Sequence, residues 1–135
     1  MADYDKGYPL VVLDEGKTLS NDPSDSGGLT YAGIASASFP DWEGFAIIRE
    51  RGLKAGESLP ELEPMVKAFY KTNFWDAVRG DEIINQEEAN TIFDRAVNVG
   101  IKPSVRMSQE VAGVPQTGEM DTSTLNSINA SNPYA

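Results

Sequence analysis

Apolar residues recur at helical spacing in several separate stretches, divided by short runs of turn-formers. Tyr4, Tyr8, Val11, Val12 and Glu15 share one such spacing, with Gly16 placed to cap the end. This predicts a short helix over 4–15 that stops at or just after Glu15, although Pro9 and the valine pair weaken it. Trp42, Phe45, Ile47 and Ile48 follow Pro40-Asp41 and precede Gly52, predicting an amphipathic helix. Ser58-Leu-Pro-Glu61 reads as a capping box with proline in the first turn. The helix it opens carries Leu62, Met65, Val66, Phe69 and Phe74 and ends before Gly80. Asn85 caps a further helix, on which Ala89, Ile92, Phe93, Ala96 and Val97 form the clearest buried face in the chain. Its two alanines predict close approach of another helix. Short helices are expected from Pro103 to Val111, stopped by Gly113, and over 122–129 behind Asp121. The last residues, from Ser131, are expected to fray. Residues 31–35 stay open between strand and turn, and no multi-strand sheet is expected. The fold class predicted is mostly α, with four or five helices.

The exception to this pattern lies between Glu15 and Thr30. There Asn21-Asp22-Pro23 and Ser26-Gly27-Gly28 are turn signals, because Asp and Asn accept local backbone hydrogen bonds and Gly tolerates positive φ. Turns of this kind bring residues distant along a loop to face one another, and such loops often carry catalytic groups. Taken alone, the segment reads equally as a solvated acidic loop.

Composition narrows the chemistry. The 135 residues suit one core of ordinary size. With no cysteine and no histidine, disulfides, thiol nucleophiles, Ser-His triads and the common zinc sites are excluded. Acid–base work falls to Asp, Glu, Lys or Tyr. The net charge of −10 argues against nucleic acid and against an anionic membrane surface, but is compatible with a glycan. No run approaches the roughly eighteen apolar residues of a membrane span, so no membrane insertion is expected. The opening Met-Ala-Asp-Tyr-Asp-Lys lacks the basic region and apolar core of a secretory signal. The Asp22–Asp25 loop lacks the alternating carboxylates of a calcium site, and neither a metal nor a cofactor is expected.

Four blocks in order carry a resemblance. They are Glu15-Gly16 with Asn21-Asp22-Pro23, Asp25, Gly27-Gly28, Thr30 and Gly33-Ile34; Phe69-Tyr70 with Phe74-Trp75-Asp76 and Arg79-Gly80-Asp81; Phe93-Asp94-Arg95-Ala96-Val97-Asn98-Val99-Gly100; and residues 109–125, with Gly113-Val114 and Gly118. The chain resembles glycoside hydrolase family 108, whose members are muramidases of the lysozyme-like fold, including phage endolysins and secretion activator proteins. The resemblance implies a compact lysozyme-like helical domain over 1–100 and a short, peptidoglycan-binding-like helical segment over 101–135. It departs from the family at Lys17, where a second glycine is usual, and at Tyr31, where Asn is common. The C-terminal block also lacks the usual Asp-Gly turn, and the family commonly continues through a further long helix beyond Asn132-Pro133.

By resemblance, Glu15 matches the catalytic acid, a role that needs a protonated carboxyl at the leaving oxygen. A helix end and apolar neighbours would raise its pKa, whereas Lys17 would lower it. Asp22 and Asp25 are candidates to hold the attacking water with Thr30, or else brace the loop through Asx turns. Tyr70, Trp75 and Asn98 either line a sugar groove or, for the aromatics, belong to the core. Asp94 beside Arg95 reads as helix-surface charge. The expected activity is hydrolysis of the β-1,4 bond between N-acetylmuramic acid and N-acetylglucosamine in peptidoglycan glycan strands, by a monomer made in the cytoplasm and delivered to the cell wall in phage or prophage lysis or a secretion-linked setting. The alternatives are a catalytically inactive peptidoglycan-binding module and an acidic helical interaction protein.

Overall fold

The structure, a computed structural model, describes residues 1–21 and 28–131. Among these the fold is mostly α: six α-helices and one small sheet. The helices are α1 (Tyr4–Glu15), α2 (Glu43–Arg51), α3 (Glu63–Tyr70), α4 (Gln86–Val99), α5 (Ile101–Ala112) and α6 (Thr122–Ser131). The strands are β1 (Leu19–Asn21), β2 (Leu29–Tyr31) and β3 (Ile34–Ala35). Backbone contacts divide the chain into a unit of Met1–Val11 with Phe69–Ala135 and a second unit of Val12–Ala68.

The second unit contains the sheet, which corrects the expectation of none. Its strands pair antiparallel in the order β1-β2-β3, with Leu19 opposite Tyr31 and Tyr31 opposite Ile34. Leu19, Tyr31 and Ile34 are buried on one face, while Ser20, Thr30 and Ala35 share the other. Strands of two and three residues are too short to display the alternation that would reveal them. The β2–β3 turn is also unconventional in sequence: Ala32 (φ 49°) and Gly33 (φ 82°) both take left-handed conformations, a geometry for which Asn-Gly is the usual signal. The connector after α2 then covers the β1 edge, because Leu19 N–H donates to the Glu57 carbonyl (2.9 Å) and Gly56 N–H to the Leu19 carbonyl (2.8 Å).

The capping box at Ser58 does not form. Leu59 takes the cap position of a 3-10 turn, Pro60–Leu62, without a side-chain bond, and α3 begins only at Glu63. Two long-range contacts account for this. The Tyr31 hydroxyl accepts from Leu59 N–H (3.1 Å) and lies 3.4 Å from its carbonyl, and Glu61 is drawn into an ion pair with Arg51 (2.7 Å).

In the first unit, Asp3 caps α1 by accepting from Asp5 N–H (2.9 Å), a signal the sequence reading passed over. The helix accommodates Pro9 in its interior and ends at Glu15 as its periodicity predicts. The single helix predicted up to Gly80 is interrupted: Lys71–Trp75 is a π-helical turn, closed by Asp76 N–H to the Lys71 carbonyl (2.8 Å). A further 3-10 turn follows at Gly80–Glu82. The Asn85 cap of α4 forms as predicted, with Oδ1 accepting from Glu88 N–H (2.9 Å). Ala89, Ile92, Phe93 and Ala96 are fully buried. The partner helix is α5, whose small Ser104 donates to the Ile92 carbonyl (2.8 Å). Asp121 caps α6 through Thr124 N–H (2.8 Å).

Arg95 is part of this packing rather than surface charge. Its guanidinium donates to Ser104 Oγ (3.2 Å), the Ser104 carbonyl (2.9 Å) and Ser108 Oγ (2.6 Å), so it ties α4 to α5. Burial, which disfavours the charged form, lowers its pKa from the ordinary arginine value. Neighbouring Asp94 is half-buried as well, with Oδ1 inaccessible to solvent.

Candidate active site

Glu15 is the last residue of α1. Gly16 turns the chain away at φ 82° and its N–H bonds the Val12 carbonyl (2.9 Å), so the αL residue expected after the helix is in place. The Glu15 backbone is thereby held at a helix C-terminus; its side chain, and the whole of Asp22 and Asp25, lie outside the described residues. Thr30 sits mid-strand in β2, opposite both Ser20 and Ala35, on the face turned away from Tyr31. Glu15 and Thr30 belong to the Val12–Ala68 unit.

The same unit holds an open cleft of about 420 Å³, lined by Lys17, Tyr31, Ser58, Leu59, Pro60 and Glu63. Lys17 and Glu63 bring opposite charges to its wall, and both are exposed. The Tyr31 ring is buried, stacked on Trp42 at 6.1 Å, and its hydroxyl holds the Leu59 backbone. The sequence reading treated Ser58 as a helix cap and did not single out Leu59 or Glu63. Lys17 and Tyr31 entered it only as departures from the resembled motif, with nothing to mark them as neighbours of 58–63.

Tyr70, Trp75 and Asn98 fall in the other unit. Trp75 has no exposed surface. It packs against Tyr4 and Phe93, each with ring centroids at 5.4 Å, and its indole N–H donates to Asp81 Oδ1 (2.8 Å). Gly80 lies so close to the indole that an added Cβ would overlap it, and a Cβ on Gly7 would stand 3.0 Å away. Tyr70 is also buried. Of the two readings of these aromatics, the core role is the one their burial fits, with neither ring face open to a sugar. Asn98 is exposed on α4. Burial, reinforced by Tyr70, Asp76 and Asp5, raises the Tyr4 phenol pKa well above its ordinary value, so it stays neutral.

The family model described as glycosyl hydrolase 108 matches residues 8–100, which include Glu15, Thr30, the π-helical turn and all of α4. The chain belongs to this family. Membership gives the enzyme class, a glycoside hydrolase, and the substrate class, a carbohydrate. Among solved structures, "Structure of Brucella abortus SagA" is similar with a TM-score of 0.69 and 28% sequence identity, over 96% of this chain and 70% of that one. A comparison with curated proteins gives no match. Among the described residues no helix is long and apolar enough to cross a membrane.

Proposed function

We propose that this glycoside hydrolase is an N-acetylmuramidase that cuts the β-1,4 bond between N-acetylmuramic acid and N-acetylglucosamine in peptidoglycan. The observation that carries the reading is the family match over 8–100, with Glu15 inside it. Placement of Glu15 at the last position of a 12-residue helix supports a general-acid role, because the negative end of the helix dipole disfavours a carboxylate there. In this reading Asp25 or Asp22 holds the attacking water together with Thr30, residues 101–135 contribute contacts to the wall polymer, and the enzyme acts at the cell wall in phage or prophage lysis or a secretion-linked setting. Digestion of purified peptidoglycan, with products read by mass spectrometry, tests it. Muropeptides with a reducing N-acetylmuramic acid end are expected from the native chain. Glu15→Gln should lower turnover by about 10²–10⁴-fold, the usual worth of general acid catalysis. No products from the native chain would favour the wall-binding alternative.

A further inference from the structure

We infer that the cleft lined by Lys17, Tyr31 and residues 58–63 is a subsite for the peptide stem of the glycan strand, with Lys17 receiving a stem carboxylate. The inference rests on the muramidase reading and adds to it a determinant of substrate choice. Four observations support it. Lys17 and Tyr31, though separated in sequence, line this same cleft. Tyr31 also shapes the cleft: its hydroxyl is held on Leu59 N–H at 3.1 Å while its ring stacks on Trp42, which fixes the Leu59-Pro60 backbone as a pre-formed surface. The pocket, at about 420 Å³, has the capacity of sites that take small organic groups, about 300–1,000 Å³.

The fourth observation is charge. In a chain of net charge −10, Lys17 places an exposed ammonium on the cleft wall, and among the described residues nothing pairs with it. Glu63 and the Ser58 hydroxyl add acceptors to the cleft lining, and Leu59 and Pro60 an apolar surface. An uncharged polysaccharide gives the ammonium no counter-charge. A short peptide offers carboxylates to Lys17, amide N–H groups to Glu63 and Ser58, and small alkyl side chains to Leu59 and Pro60. Position agrees with this. Lys17 follows Glu15 by two residues, so their Cα atoms are at most about 7.6 Å apart. The stem is carried by the muramyl sugar whose glycosidic bond the acid would break, so a stem-binding group belongs close to that acid.

The test compares soluble glycan strands that keep their peptide stems with strands from which an amidase has removed them, using the native chain, Lys17→Met and Lys17→Arg. For the native chain KM should be about tenfold lower on stem-bearing strands, the worth of one charge-assisted hydrogen bond. Lys17→Met should lose that difference and Lys17→Arg should keep it. Equal KM on both substrates would overturn the subsite while leaving the muramidase reading intact. Preference for the stripped strands would assign Lys17 to the exposed lactyl carboxylate instead and overturn it too. A binding arm separates the two proposals where no strand is cut: free L-Ala-γ-D-Glu-diaminopimelate is titrated into the native chain and Lys17→Met, read by NMR at the Leu59 amide. A shift in the native chain that Lys17→Met abolishes upholds the subsite even if the muramidase reading fails; no shift in an inactive chain overturns both.

Discussion

In the unit of Met1–Val11 and Phe69–Ala135, the guanidinium of Arg79 grips Glu82 through two bonds (2.6 and 2.9 Å) and reaches Thr122 Oγ1 (3.2 Å). In the unit of Val12–Ala68, the ammonium of Lys17 stands exposed on a cleft wall. The contrast extends beyond these two cations. Gln109, fully buried, accepts from Gly118 N–H (3.0 Å), and its amide nitrogen lies 3.0 Å from Thr117 Oγ1, 3.1 Å from the Glu119 carbonyl and 3.0 Å from Thr124 Oγ1. Asn129 accepts from Ile84 N–H (3.0 Å) and donates to the Glu82 carbonyl (3.0 Å), stitching α6 to the turn before α4. Gln109 thus replaces hydration that folding removes, and its loss would leave buried partners unsatisfied, whereas the exposed Arg79 and Asn129 bonds tie segments together at the surface. Around the cleft, Tyr31 and Leu59 form a fixed backing, and Lys17 brings an exposed charge that pairs with no other described residue. The first arrangement holds a structure; the second suits recognition.

The sharpest division is expected between Glu15→Gln and Trp75→Ala. The first should remove about 10²–10⁴-fold of turnover and leave the thermal unfolding midpoint close to that of the native chain. Trp75→Ala should cost about 3–5 kcal/mol of stability, the range for emptying a packed aromatic site, as measured by denaturant unfolding. A Trp75→Ala protein of native stability but raised KM would return Trp75 to the sugar groove and break the comparison. Gln109→Ala comes next. It strands the Gly118 N–H and the acceptors around it, at about 1–3 kcal/mol for each buried group left unsatisfied. The loss should appear first as faster hydrogen exchange across residues 114–124, with the amides of β1 and β2 unaffected.

The smallest effect is a dependence on pH. The Arg79 hydrogen bonds hold the Glu82 carboxyl below its ordinary pKa, and the Thr124 bonds do the same for Asp121. Groups with a depressed folded pKa contribute stability above the unfolded carboxylate pKa, and that contribution is lost as pH falls through the folded value. Docking of α6 should therefore loosen as the solution is acidified below the ordinary carboxylate range. Exchange at the Ile84 amide would report it, and Glu82→Gln should flatten part of the acid limb. Both carboxylates are solvent-exposed, so the change should be modest and reduced by salt.

Much of the helical layout was legible because its signals are local. Asn85 with the acidic first turn behind it, Glu15 before Gly16, Gly52, Gly113 and Asp121 each act on groups within four residues, and all stand where the sequence put a helix end. The Ser58 capping box failed because its competitor was distant: the Tyr31 hydroxyl reaches Leu59 across 28 residues. The sheet was missed for a similar reason. Thr30 and Tyr31 favour a strand, but three residues are too few to show its alternation, and their pairing on both sides exists only in the folded unit. The acidic loop was readable as chemistry through resemblance, whereas the cleft was not, as Lys17, Tyr31 and 58–63 are neighbours only in the folded unit.

Sequence alone determined several helix ends, such as Gly16, Asn85, Gly113 and Asp121, the apolar face of α4, and, through the lack of histidine and cysteine, that any acid–base chemistry falls to Asp, Glu, Lys or Tyr. These follow from backbone capping, side-chain period and the inventory of titratable groups, none of which needs a distant partner. Tertiary structure decided the fate of the ambiguous residues. Trp75 became core because a π-helical turn and the absence of a Cβ at Gly80 let its indole lie against Tyr4 and Phe93. Arg95 became an interhelical tie because small serines on α5 let its guanidinium reach across from α4. An aromatic or a cation at helical spacing carries no label for core or surface; only what packs over it removes it from water.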